Sequence, residues 1–147
     1  MSPSPVVTEP PLFDGLKSLE CAKYARLAAK QLFDVDYNPA PAWNIGYANR
    51  FLWRRDASSC YDWVDVARPG HLIGIYNPTS GFNTFWCGRR DLAGASRLFT
   101  HVALYLGDRR IVHQFVSTIQ LCSLEDFLLR KGCSVAAVVG PREQQVF

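Results

Sequence analysis

The chain has 147 residues, 48% of them hydrophobic, 13% aromatic and 20% charged, enough apolar material for one domain with its own core. Its formal net charge of +3 comes from 16 Lys and Arg against 13 Asp and Glu, scattered except for the short pairs Arg54-Arg55, Arg89-Arg90 and Arg109-Arg110. That excludes the dense basic stripe of a nucleic-acid binder and suits a weak preference for anionic surfaces such as cell-wall polymers.

The opening residues, MSPSPVVTEPP, lack both a basic n-region and an apolar h-region, so synthesis in the cytoplasm without a signal peptide is expected. Action elsewhere would need delivery by a virion, a secretion apparatus or lysis. No run approaches the ~20 apolar residues of a membrane span. Pro3, Pro5, Pro10 and Pro11 fix φ and remove donors, which predicts an extended, mobile arm over residues 1–15 that can dock on a larger assembly. Residues 16–147 then form the domain.

From Ser18 to Phe33 the spacing of Ala22, Ala25, Ala29 and Leu32 predicts a helix capped by Ser18, with a small-residue face that lets its axis lie close to a sheet. After the breaker cluster 37–41, Trp43, Tyr47 and Phe51 recur at i, i+4 and i+8, predicting a second helix. This stripe packs the core, or it walls a substrate groove to which Tyr47 or Asn44 offers a hydrogen bond. The second half changes period: His71 to Tyr76, His101 to Leu106, Arg110 to Val116 and Ser134 to Val139 read as strands. Ser123 to Lys131 reads as a short helix, with a Ser123/Asp126 capping pattern and Gly132 as its stop. Between the first two strands runs a long connection, residues 77–99, carrying Trp86, Cys87, Arg89 and Arg90; segments of that length inside a domain are more often functional covers. Helices first and a mostly antiparallel sheet after them make an α+β fold.

Five cysteines, Cys21, Cys60, Cys87, Cys122 and Cys133, form an odd set without a CxxC pair, which excludes a fully paired disulfide framework. With Ser18 as cap, Cys21 falls at N3, where free N–H groups and the helix dipole favour a thiolate and can also receive an oxyanion. His101 and His113 sit on two strands joined by a tight turn, and such a pair supplies both a base and a group to orient it. An odd-length turn puts both histidines on one face; a two-residue turn puts Gln114 there instead. Both faces are apolar, so Gln114 stands beside His113 as a candidate orienter. The spacing of Cys21, His101 and His113 matches no metal motif, and neither metal nor cofactor is expected. The remaining cysteines read as structural, Cys87 being the candidate exception because of its loop.

Cys21 opening a helix, then PGHLIGIY, THVALYLGD and IVHQF, resembles the NlpC/P60 peptidases, which run from a helix-start Cys through PGDLvff and sHVGiYlG to ihA. The order of elements matches from about Ser18 onward, and THVALYLGDRRIVHQF carries the residue-level likeness. Around the nucleophile, Glu20-Cys21-Ala22-Lys23 stands in place of Asp-Cys-Ser-Gly and looks nearer to the CHAP amidases, and His71 replaces the Asp of PGDL. The resemblance implies a papain-like core in which Cys21, His101 and His113 are catalytic. It also implies a cysteine hydrolase that cleaves an amide bond in peptidoglycan stem or cross-link peptides through a thioester. Trp43, Asn44, Tyr47 and Trp86 are the expected substrate-binding residues. Acyl transfer or deamidation on the same fold, and a catalytically silent structural protein of an assembly such as a virus particle, are the alternatives.

Overall fold

The computed structural model of the protein describes residues 6–57, 61–76 and 99–142. Helix α1 spans Cys21–Phe33, and Ala22, Ala25, Ala28 and Ala29 on its inner face are buried, so it packs close to the sheet as its small side chains predict. Its start differs from the expected one. Glu20, not Ser18, is the N-cap, and it makes no side-chain capping bond; the Tyr24 N–H donates to the Glu20 carbonyl at 2.9 Å. Leu19, 78% exposed, takes φ 62° and donates its N–H to the Val116 carbonyl at 2.8 Å. That tertiary bond overrides the local capping preference and moves Cys21 from N3 to the first helical position. The helix stops at Asp34, in the left-handed conformation, whose N–H returns to the Ala29 and Lys30 carbonyls.

The expected second helix is broken into three pieces: a 3-10 turn Ala42–Asn44, a single turn α2 (Ile45–Ala48) and strand β1 (Arg50–Arg54). Phe51 is therefore a strand residue, its ring laid over Gly46, where an added Cβ would meet Phe51 at 2.2 Å. Asn49, 8% exposed, ties the segment to Asn38: its Nδ2 donates to the Asn38 and Ile45 carbonyls, and its Oδ1 accepts from the Asn38 N–H at 2.7 Å.

After the short α3 (Trp63–Val66) come β2 (Leu72–Tyr76), β3 (His101–Gly107), β4 (Arg110–Phe115), β5 (Thr118–Ser123), α4 (Leu124–Lys131) and β6 (Ser134–Gly140). Four of these strands and α4 lie within a residue or two of the predicted bounds. Ser123 caps α4 by accepting from the Asp126 N–H at 3.3 Å, and Gly132 ends it at φ 65°. Strands β1 and β5 have no counterpart among the predicted elements. The result is an α+β domain built on one antiparallel sheet in the order β1-β6-β2-β3-β4-β5.

Both faces of that sheet are covered, which explains why its central strands are apolar throughout rather than alternating. Leu72, Val102, Leu104, Val112 and Val139 pack with α1 on one face. Ile73, Ala103, Tyr105, Ile111 and Val138 pack with Leu124 and Phe127 of α4 on the other. Residues 7–11, expected to belong to a mobile arm, form no helix or strand and are docked rather than free. Val7 is buried, its carbonyl accepts from Arg110 Nη2 at 2.9 Å, and the Pro11 carbonyl accepts from the Tyr24 hydroxyl at 2.8 Å. The loop expected to act as a cover, with Trp86 and Cys87, lies outside the described residues apart from Phe99, as does Cys60. Among the described residues no helix is long and apolar enough to cross a membrane.

Candidate active site

The site forms where two neighbouring strands part. The Tyr105 N–H and carbonyl both bond toward the β2 side, to the His71 carbonyl and the Gly70 N–H, each at 2.9 Å. Alternation then turns the backbone polar groups of Leu104 and Val102 toward β4. The β3–β4 register runs from Gly107↔Arg110 to Leu104↔Val112 and goes no further. Residues 17–21 enter the opening: Leu19 bonds Val116, the Glu20 N–H donates to Gln114 Oε1 at 2.7 Å, and Gln114 Nε2 donates to the Lys17 carbonyl at 2.6 Å. Cys21 is thereby set against the start of β3, its Sγ 4.0 Å from the Thr100 carbonyl.

Tyr105 pairs with Ile111, so side-chain alternation puts His101 on the Tyr105 face and His113 on the Ile111 face, which is the same one. The turn itself is two residues long, Asp108 and Arg109, both with positive φ, a geometry that alone would place Gln114 opposite. A register irregularity between Tyr105 and Gly107 inserts one residue, Leu106, and restores the parity. His101 Nε2 and His113 Nδ1 are 2.7 Å apart. Gln114 points to the α1 face and is a clamp on the backbone before Cys21, not a partner of His101. The His113 ring is fully buried, with Phe127 at 4.6 Å and Phe115 at 6.2 Å between ring centroids.

Burial sets the protonation states. It pushes the His101 imidazole down to about 3, with the nearby His113 adding to the effect, and His113 down to about 4, against the Gln120 amide, which accepts from the ring and draws it up, and with Arg130 assisting. Both rings are neutral near pH 7. Burial also pushes the Cys21 thiol up, although the N–H groups of Val102, Ala22 and Cys21 itself draw it down. The thiolate expected from the helix start is thus outweighed by desolvation, and Cys21 rests as a thiol. Among the described residues no hydrogen bond joins Sγ to the His101 ring. The two instead border one cavity of about 720 Å³, walled by Leu19, Ala40, Trp43, Ile75, Val116 and Phe127, with Glu20 and Lys23 at Cys21's end.

Of the expected substrate contacts, Trp43 lines this cavity, whereas Asn44 and Tyr47 do not. The Tyr47 ring packs edge-on against Phe51 at 5.0 Å with the Arg54 guanidinium 5.7 Å from its centre, because the chain turns into β1 after Ala48 instead of continuing helically. Trp86 lies outside the described residues. Gln120 and Cys122 on β5 also face the histidine pair, the first absent from the expected site residues and the second expected to be structural. His113 pairs directly with Gln120, and Cys122 Sγ lies 3.9 Å from His113 Nε2; the alternation of Ile119 and Leu121 with these polar residues was the signal available. No group of three or more His, Cys, Asp or Glu among the described residues is arranged to hold a metal ion.

Fold and site together define an α+β domain in which a helix-start cysteine and a hydrogen-bonded histidine pair share one cavity. No family model, no curated protein and no solved structure matches the chain.

Proposed function

We propose that the protein is a cysteine hydrolase with a papain-like, NlpC/P60-type core that cleaves amide bonds through a thioester on Cys21. The observation that carries this reading is the 2.7 Å contact between His101 Nε2 and His113 Nδ1 beside a cavity that Cys21 and His101 both line. Cysteine attacks the carbonyl carbon, and His101 takes the thiol proton and returns it to the leaving amine. Because thiol and imidazole both rest neutral, proton transfer accompanies the attack instead of preceding it, which is general-base catalysis in the strict sense. The N–H groups that face Cys21 Sγ, those of Val102, Ala22 and Cys21 itself, are the donors this reading assigns to the developing oxyanion. His113 holds His101 in orientation, and water resolves the thioester. By resemblance, the bond lies in peptidoglycan stem or cross-link peptides.

The test is digestion of purified peptidoglycan by the wild type and Cys21→Ala, with mass analysis of the fragments. New free amines without new sugar ends, lost in Cys21→Ala, support the reading; cleavage that survives the substitution refutes it. A second reading, acyl transfer to an amine or lipid acceptor, is favoured by the apolar wall of Leu19, Trp43, Ile75, Val116 and Phe127. It predicts an acylated acceptor in place of a hydrolysed fragment.

A further inference from the structure

The histidine pair does not end the polar chain. Thr118 Oγ1 donates to the Phe115 carbonyl at 3.0 Å. A carbonyl only accepts, so the hydroxyl proton is committed there and the Thr118 oxygen can only accept from Gln120 Nε2, 3.3 Å away. With its amide nitrogen so directed, Gln120 has Oε1 left as its acceptor, and its bond with the His113 side chain favours the protonated ring, as a bond accepted from the ring does. His113 stands directly across the β4–β5 register, and cross-strand partners on one face lie within side-chain reach. An amide oxygen facing the ring requires the proton on His113 Nε2. Nδ1 is then a lone pair and must accept from His101 Nε2–H, which leaves His101 Nδ1 as the unprotonated nitrogen.

We infer that Thr118 and Gln120 are positioning residues that fix, from the Phe115 carbonyl outward, the tautomers of both histidines and so make Nδ1 of His101 the base. This rests on the reading of His101 as the base of a cysteine hydrolase. The rival for His113 Nε2 is the Cys122 thiol at 3.9 Å, a long contact; as donor it would impose the opposite tautomers and put the proton on His101 Nδ1. Arg130, Cys122 and His101 are the titratable groups that act on His113.

The full chain carrying 15N-labelled histidine, at pH 7 and without substrate, reports ring tautomers directly by long-range proton–nitrogen NMR. His71 is the reference ring, since its Nδ1 accepts from the Arg68 N–H at 3.0 Å. Expected is Nε2–H on both His101 and His113 in the wild type and in Cys122→Ala. Gln120→Leu should move a measurable share of the His101 proton to Nδ1. Gln120→Glu, which keeps an acceptor, should preserve the wild-type tautomers and raise the titration midpoint of His113 by about 1 pH unit or more. Should Gln120→Leu fail to fold, the Gln120→Glu result decides. Nδ1–H on His101 in the wild type, an unchanged spectrum in folded Gln120→Leu, or an unmoved His113 midpoint in Gln120→Glu would overturn the inference. Since no substrate is present, these signals stand apart from the hydrolase reading, which fails instead if cleavage survives Cys21→Ala.

Discussion

His113 and Gln114 are neighbours with opposite work, and the structure separates them by face. His113 packs edge-on against Phe127 and bonds His101; Gln114, 2% exposed, holds the backbone at Lys17 and Glu20. On the proposed hydrolase reading, His113→Ala is expected to lower kcat by about 10²-fold or more while leaving the fold assembled, because there His113 would be the group that orients the base. Gln114→Ala should instead cost about 1–3 kcal/mol in a denaturant titration, by leaving the Glu20 N–H without its buried acceptor. It should lower kcat only as far as Cys21 is displaced. Equal losses of kcat in the two variants would contradict this division. From sequence the choice between these two residues stayed open, since both faces of the hairpin are apolar and parity depends on one inserted residue, Leu106, which no residue type announces.

At the scale of elements, residues close to their local rules were legible and those bound by distant partners were not. The alanine face of α1 and the Ser123 and Gly132 ends of α4 follow from side-chain size and backbone chemistry within the segment. The start of α1 does not: Ser18 is a good cap, yet Leu19 is drawn to Val116 and the helix begins later. Trp43, Tyr47 and Phe51 keep helical spacing, but the chain turns after Ala48 and pairs Arg50 to Arg54 with β6. Strand β5 alternates as a strand should and was hidden by its place against a strong helix signal. Close packing of β2 gives a test at this scale. A Cβ at Gly74 would meet the Phe99 ring at 2.6 Å, and Phe99 anchors the approach to Thr100 and His101. Gly74→Ala is expected to destabilise by about 1–3 kcal/mol through overpacking, read as a lower urea midpoint; an unchanged midpoint would show that Phe99 moves aside freely.

For the whole molecule, two cores clasp one sheet, and the site lies at the seam where β3 and β4 part, reached by α1 from one face and by the histidines from the other. Keeping two imidazoles neutral inside this structure links stability to pH. The unfolded chain takes up protons on both rings as pH falls below about 6.5, whereas the folded chain resists until the depressed values near 3 and 4. Stability should therefore be flat between about pH 7 and 8, below the range in which the thiols titrate, and fall progressively from about 6.5 downward, and His113→Gln should reduce that slope in urea titrations across pH. A slope unchanged by the substitution would mean that His113 does not hold its neutral form in the fold. The central claim is that Cys21 carries the acyl group. Acid quenching during reaction with soluble peptidoglycan peptides, followed by mass analysis of the whole protein and its fragments, tests it most directly. The account predicts an added acyl fragment on the peptide that contains Cys21, absent from Cys21→Ala and from His101→Ala. Continued turnover by Cys21→Ala, with no adduct on the wild type, would contradict it.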